Sequence, residues 1–310
     1  MSNGFFEFAE ITQKTETDPR GFMAECDHLL NGRLTRAAAR IASEIKKRPV
    51  ALLAGPSGSG KTTTAHKLAE ELGWIGVRAH VVSMDDYFLT VDKETHPRDI
   101  RGEIDYEAPE CLDIPLLTAH FAALTAGEEI LIPSFDFTKQ RRDGTRVTPL
   151  RLGRDEVAVF EGIHALNPLL LGGAAESKWR VYASARANVR DGSAQVYKGT
   201  WIRLTRRLIR DAKFRGWDGG TTMKVWANVR RGEKKHISPY KESADIIIDT
   251  ALAYELPVLR GFALPLLSGV PDDAERAPEL RQIAPMLKRF PSLPAEWVSK
   301  RSLLREFIGS

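Results

Sequence analysis

Two rhythms of apolar and polar positions run along the chain. Short, nearly unbroken apolar runs occur at VALLAG (50–55), VRAHVVSM (77–84), EVAVFEG (156–162), WRVYAS (179–184) and ADIIID (244–249). Runs of this kind, bounded by turn formers, read as strands covered on both faces. Between them apolar residues recur at helical spacing: over 34–47, from the glycine-rich turn to about Leu72, and over about 110–125, 200–215 and 221–231. The first of these helices is expected to stop at Arg48-Pro49, because a residue before proline is driven out of the helical region. Strands alternating with helices predict an α/β protein of three layers around a five-stranded, mostly parallel sheet. EEILIPSFDF and TRVTPLRL bracket Gly144 and predict a small hairpin at the sheet's rim. Residues 1–32 show scattered turn formers and little periodicity, while the last sixty or so hold several prolines and two helical stretches that read as a wrap on the core.

Composition narrows the classes without choosing among them. The 310 residues suffice for one large or two small domains, and 43% hydrophobic with 28% charged residues is an ordinary globular balance. No apolar run reaches membrane-spanning length, and the opening MSNGFFEFAEITQKTETDPR lacks the basic-then-apolar order of a secretion signal. The two cysteines, Cys26 and Cys111, are too few and too far apart for a disulfide framework or a zinc site, so a reducing cytoplasm is the expected home. The net charge of +4 would tolerate nucleic acid, but the arginines concentrate in one segment, which suits a compact polyanion at least as well as a long duplex. Neither nucleic acid nor a membrane is expected as a partner.

The densest chemistry lies in GPSGSGKTTTAHKL (55–68), between the first predicted strand and a helix. Gly55-x-x-x-x-Gly60-Lys61-Thr62 is a complete Walker A pattern. Its glycines, with Ser57 and Ser59 between them, let backbone amides turn inward around phosphate oxygens, and the helix start adds its positive end. Gly55, Ser57, Gly58, Ser59, Gly60, Lys61, Thr62 and Thr63 are therefore the expected triphosphate ligands. Lys61 would reach the β- and γ-phosphates, and the Thr62 hydroxyl would ligate magnesium.

Two further strand ends should face the same crevice, since ligands in open α/β sheets lie beyond the carboxyl ends of the strands. One carries Asp85 and Asp86, the other Glu161 and Gly162. Transfer to a hydroxyl needs a carboxylate beside that hydroxyl, and magnesium needs further oxygen ligands. Asp85 is the expected base and Glu161 the metal-side carboxylate, whereas Asp86 serves a turn as readily as a site. In TWIRLTRRLIRDAKFRG (200–216), Trp201, Leu204, Leu208 and Ala212 share one helical face and Arg203, Arg206, Arg207 and Arg210 the other, with Arg215 near the end. Such a helix reads as a closing lid whose guanidinium groups stabilise the charge that spreads over a phosphoryl group in flight. No guanine-reading Asn-Lys-x-Asp motif is present, and the strand before Glu161 lacks the Asp-Glu ending of motor ATPases. A phosphotransferase is expected, with a non-catalytic ATP-binding regulator as the competing class.

Taken in order, GPSGSGKTT, SMDDYF, IPSFDF, VFEGIHALNP, RLTRRLIRDAKFRG and SPYKESADIIID resemble the uridine kinase and phosphoribulokinase family over about residues 50–250. The resemblance implies a P-loop kinase fold, ATP with Mg²⁺, and transfer of the γ-phosphate to a small-molecule hydroxyl. It implies Asp85 as the catalytic aspartate, Glu161 and Thr62 at the metal, and Arg207, Arg210 and Arg215 as lid arginines beside Lys61. The domain plan that goes with it is an N-terminal helical extension over 1–48, a P-loop kinase domain over 49–250 with its lid about 200–231, and a C-terminal helical wrap over 251–310. In the substrate pocket the chain departs from uridine kinases. Their Phe-Asp-x-Pro segment is Tyr106-Glu107-Ala108-Pro109 here, which puts Glu107 in the ribose-holding position. Their base-contacting tyrosine and histidine are matched by Phe135 and Gln140, and a lid arginine is matched by Trp217. Asp85, Tyr87, Glu107, Phe135, Gln140, Arg142 and Trp217 are the expected acceptor contacts, with Asp136 and Arg142 equally suited to a loop salt bridge. The acceptor reads as a nucleoside 5′-hydroxyl, with a sugar or sugar acid as runner-up. A homo-oligomer stays open.

Overall fold

The computed structural model describes residues 4–309 except 172–175, 272 and 275. In chain order the elements are β1 (Phe5–Glu7), α1 (Phe8–Thr17), α2 (Pro19–Ser43), β2 (Val50–Ala54), α3 (Lys61–Trp74), β3 (Arg78–Ser83), α4 (Ile114–Thr125), the hairpin β4 (Ile130–Asp136) and β5 (Arg141–Leu150), β6 (Glu156–Glu161), α5 (Pro168–Leu171) and β7 (Lys178–Ser184). They continue as β8 (Asn188–Asp191), β9 (Ala194–Tyr197), α6 (Gly199–Arg215), α7 (Gly219–Gly232), β10 (Ile246–Asp249), α8 (Glu255–Ser268), α9 (Ala277–Arg289) and α10 (Arg305–Ile308).

The main sheet has five strands in the order β10-β7-β2-β6-β3, every pair parallel. This is the expected five-stranded sheet, with no antiparallel member. Central β2 is buried throughout, and its period of two divides the protein's interior. Ala51 and Leu53 enter a core built with α2, α3, α6, α8 and α9, whereas Val50, Leu52 and Ala54 enter a second core with α4 and Tyr87, Phe121 and Phe160. The strands β4 and β5 form the foreseen antiparallel hairpin, but it turns at residues 137–140, and Gly144, read as the bracketed turn residue, lies within β5.

The N-terminal segment corrects the sequence reading. Residues that look like scattered turn formers are helix signals: the Asp18 carboxylate accepts from the Gly21 amide while Pro19 opens α2. From there Phe22, Met23, Cys26, Leu30, Leu34, Ala37, Ala38 and Ile41 form one buried stripe, so the helix read as starting near residue 34 starts at Pro19. A second small sheet, β1-β8-β9, was not foreseen either, and its β1 pairs in parallel with β8 across most of the chain. Among the described residues, no helix is long and apolar enough to cross a membrane.

Helix α6 also differs from its wheel. Arg203 and Arg206 are 2% and 0% exposed, not on a solvent face. Arg206 Nε and Nη2 donate to Glu255 at 2.6 and 3.0 Å, and Arg203 Nη2 donates to both oxygens of Glu233 at 2.8 and 2.9 Å. Glu233 opens a turn of π-helix, Glu233–Ile237, that continues α7. The first three turns of α6 are thus packed into the core, and the physical reason is that α7 and α8 bring carboxylates to meet the guanidinium groups. Removing one partner of a buried pair strands the other charge in a low-dielectric interior. Arg206→Ala should therefore lower unfolding free energy by about 3–5 kcal/mol, read from urea titration of the wild type and the variant.

Candidate active site

The phosphate loop, residues 55–60, links the end of β2 to the start of α3. A Cβ at Gly55 would collide with the Ala183 carbonyl, and Gly60 sits in left-handed backbone at φ 80° with Leu303 methyls 2.9–3.0 Å from the place of its missing Cβ. Side chains are excluded from the loop at both points, which leaves its amides free to face an anion. Lys61 and Thr62 begin α3 and both turn to Glu161. The Thr62 hydroxyl donates to Glu161 Oε1 at 3.0 Å, and Lys61 Nζ lies 3.8 Å from Oε2.

Glu161 ends β6 next to the end of β3, where Ser83 is its register partner. It is 5% exposed, and its Oε2 makes no hydrogen bond, nor does the buried Ser59 hydroxyl. Burial pushes its carboxyl up, Lys61 pulls it down, and the negative charge of Asp85 pushes it up further. A buried carboxylate with a spare oxygen, a hydroxyl at 3.0 Å and a lysine nearby is a donor set suited to Mg²⁺ and phosphate. Among the described residues no cluster of three or more His, Cys, Asp or Glu could hold a metal. A magnesium ion held by Thr62 and Glu161 would therefore complete its shell with phosphate oxygens and water.

Asp85 follows β3 by two residues, in a short 3-10 turn, Met84–Tyr87. Ser83 shapes the turn by accepting from the Asp85 amide at 3.3 Å. Asp85 is half-buried, and its charge is felt at both Glu161 and Arg210. Its neighbour Asp86 accepts from the Phe135 amide at 3.4 Å and so pins the β4–β5 hairpin against this turn. Phe135 stands 5.8 Å from the Phe88 ring and 5.1 Å from Phe137, forming an aromatic edge beside the carboxylates. Glu107 packs under Gly232; burial pushes its carboxyl up to about 7 despite the lowering influence of Arg207 and Lys61.

The arginines divide. Arg207 Nη1 donates to the Ser57 hydroxyl at 2.6 Å, so it touches the phosphate loop directly, with Asp211 on its other side at 3.1 Å. Arg210 lies 3.6 Å from Glu306 of the C-terminal segment, and Arg215 lies 3.1 Å from Asp211, with its guanidinium over the Trp217 ring at 5.3 Å. Two expected acceptor contacts, Tyr87 and Arg142, are engaged elsewhere. Tyr87 is fully buried with its hydroxyl against His120 Nδ1 at 2.9 Å, because the 3-10 turn points it into the core. Arg142 is the loop salt bridge of its two readings, donating to Asp113 at 2.8 Å and to the Tyr87 carbonyl at 3.1 Å. Gln140 is exposed at the hairpin tip, where φ of 50° suits the turn, and Asp136 bonds locally to the amides of Thr138 and Lys139.

Three further residues stand at the site without a role in the sequence reading, His164 among them although it lies within VFEGIHALNP. His164, three residues beyond Glu161, is 1% exposed, neither ring nitrogen makes a hydrogen bond, and burial pushes it down to about 3, so it is a neutral imidazole. His236, from the π-helical turn, meets it edge-on at 6.2 Å. Glu306 is the third, and only the folded chain brings it to Thr63.

An anion cradle closed by a lysine, with carboxylates at two adjoining strand ends of a parallel sheet, defines a P-loop nucleotide-binding protein of the kinase type. The chain belongs to the Phosphoribulokinase / Uridine kinase family, whose model matches residues 50–255. It is 33% identical over 197 residues to a uridine kinase of Deinococcus deserti, covering 63% of this chain and 84% of that one. It is 30% identical over 204 residues to a uridine kinase of Lactobacillus helveticus, covering 65% and 87%. The solved "Structure of a Possible Uridine Kinase from Bacillus stearothermophilus" overlays with a TM-score of 0.47 at 18% identity, covering 71% of this chain and 99% of that one.

Glu107 provides a pH signature. Its folded-state value of about 7 stands above the ordinary 4.5, so between those values the folded protein keeps a proton that the unfolded chain has lost. Its contribution therefore falls as pH rises through this window and reaches its full cost above about 7. Glu107→Gln should match the wild type in urea stability near pH 4.5 and exceed it by a growing margin up to pH 8, and a constant difference across that range would refute the assignment.

Proposed function

We propose that the chain is an ATP- and Mg²⁺-dependent kinase that transfers the γ-phosphate to the 5′-hydroxyl of a nucleoside. The observation that carries this reading is the adjacency of Asp85 and Glu161 at neighbouring strand ends, on the same side as Lys61 and Thr62. Two carboxylates in different surroundings divide two tasks: the deeply buried Glu161 faces the metal side, and the half-buried Asp85 stays available to a hydroxyl. The names of the relatives favour a nucleoside acceptor.

Bound MgATP supplies the phosphoryl group and the charge neutralisation of its oxygens. The loop amides, Lys61 and Thr62 would hold the triphosphate, with Thr63 at its inner end, and Thr62 and Glu161 would hold the metal. Asp85 orients the acceptor hydroxyl and accepts its proton as the new P–O bond forms and the bond to the β-phosphate oxygen breaks. Arg207 is placed to meet developing charge from the Ser57 side, with Arg210 and Arg215 joining from the second half of α6. Glu107 holds sugar hydroxyls, Phe135 stacks on a flat group, and Trp217 closes over the arginine side.

A sugar or sugar-acid acceptor is the second reading, and one observation favours it. The Tyr87 hydroxyl is sealed against His120 and Arg142 is engaged by Asp113, which leaves few polar groups to read a base. Incubating the protein with MgATP and separate nucleosides, sugars and sugar acids should give ADP only with an accepted substrate. Release without any acceptor would identify a hydrolase, and none with every acceptor would favour a nucleotide-binding regulator. With the accepted substrate, Asp85→Asn should retain nucleotide binding and lose at least ~10²-fold in turnover, the scale of general-base loss. Near-normal turnover would sink the assignment of Asp85.

A further inference from the structure

The first turn of α3 is already bound to an anion that belongs to the protein. Glu306 Oε2 accepts from the Thr63 amide at 3.4 Å and from the Thr63 hydroxyl at 2.6 Å. Its other oxygen lies 3.6 Å from Arg210 Nη1. Ordinary caps come from the residue that starts the helix, but here that residue is Gly60 and the carboxylate arrives from 243 positions away.

The identity of these donors matters. In a phosphate loop the lysine and the first hydroxyl serve the terminal phosphates and their metal. The next donors along the helix, the Thr63 amide and hydroxyl, then fall to the phosphate nearest the ribose. A carboxylate bonded to both, with Arg210 at 3.6 Å on its other oxygen, occupies that position. It cannot share it with a phosphate, because two anions would compete for the same donors and repel one another.

The surrounding segment is firmly held. The Ser302 hydroxyl meets the Tyr254 hydroxyl at 2.6 Å and donates to Asp27 at 3.0 Å. Leu303, Leu304 and Phe307 are fully buried, the Arg206 guanidinium stands over the Phe307 ring at 5.0 Å, and Lys213 donates to the Ile308 carbonyl. Against this backbone the Glu306 side chain reaches Thr63 with 16% of its surface open to solvent, which leaves it a direction in which to turn out.

Resting on the kinase reading above, we propose that Glu306 is an internal occupant of the α-phosphate subsite, which a nucleotide must displace in order to bind. Displacement swings the carboxylate out and frees both Thr63 and Arg210 for the phosphate. The contact therefore lowers apparent nucleotide affinity and couples Arg210 to nucleotide arrival.

The test is calorimetric titration of the full chain with Mg²⁺ and a non-hydrolysable ATP analogue with a β,γ-imido bridge. Glu306→Gln should bind it at least about tenfold more tightly than the wild type, the scale of one charge-assisted hydrogen bond no longer to be broken. Glu306→Asp keeps the charge but draws it back from Thr63 by one methylene, and should also bind more tightly, by a smaller factor. Tightening in Glu306→Gln with wild-type affinity in Glu306→Asp would reduce the effect to bulk charge and overturn the proposal. Unchanged or weaker binding in both, with a lowered melting temperature, would make Glu306 a plain helix cap and also overturn it. If Glu306→Gln does not fold, Glu306→Asp alone decides by the same criterion. Equal binding in all three proteins defeats this inference and leaves the kinase reading standing, whereas no binding in any of them defeats both.

Discussion

A phosphate loop can offer its amides to an anion only if its carbonyl oxygens, which then face the other way, are satisfied from behind. In this protein the task falls to a buried helix and one threonine. Arg203 donates to the Ser57 carbonyl at 3.1 Å, Arg206 approaches those of Gly58 and Ser59 at 3.4 Å, and the Thr250 hydroxyl donates to the Ser59 carbonyl at 2.6 Å. The arginines can be inside because Glu233 and Glu255 neutralise them there. The ion pairs, α6 and the loop thus form one electrostatic unit, in which carboxylates hold guanidinium groups and guanidinium groups hold the loop.

The parallel sheet supplies the rest of the arrangement. Parallel strands bring their carboxyl ends to one edge, so residues far apart in sequence face a shared crevice. The register that pairs Ser83 and Leu53 with Glu161 brings the β3 turn, the phosphate loop and the metal-side carboxylate into line. Burial then separates the acids by depth. Glu161 is sealed and raised, Glu107 is raised to about 7, and Asp85 retains access to the crevice.

Local patterns carried much of this in the sequence. Each strand of the main sheet is a compact apolar run, and the loop is a contiguous motif whose chemistry follows from its own residues. What could not be read depends on partners distant along the chain. Arg203 and Arg206 look like a solvent face until Glu233 and Glu255 are seen to arrive beside them. Tyr87 is adjacent to Asp85 and Asp86 in sequence, yet a 3-10 turn sends it inward to His120 while Asp86 reaches the hairpin. Glycines within α2 and the Asp18-Pro19 cap imitate loop composition, because turn formers and helix starts draw on the same residues. Glu306 carries no local signal, since its neighbours Arg305 and Phe307 say nothing about Thr63.

The pairing of β1 with β8 has a consequence for the order of assembly. Phe5 finds its partner at Asn188, so β1 has no sheet edge to join until a segment far along the chain is in place. The apolar stripe of α2, by contrast, packs chiefly on α3, the next helix in the chain, and so has its cover close by in sequence. The small sheet is thus a long-range clasp laid over helices whose own packing is largely local, and it ties the two ends of that layer together.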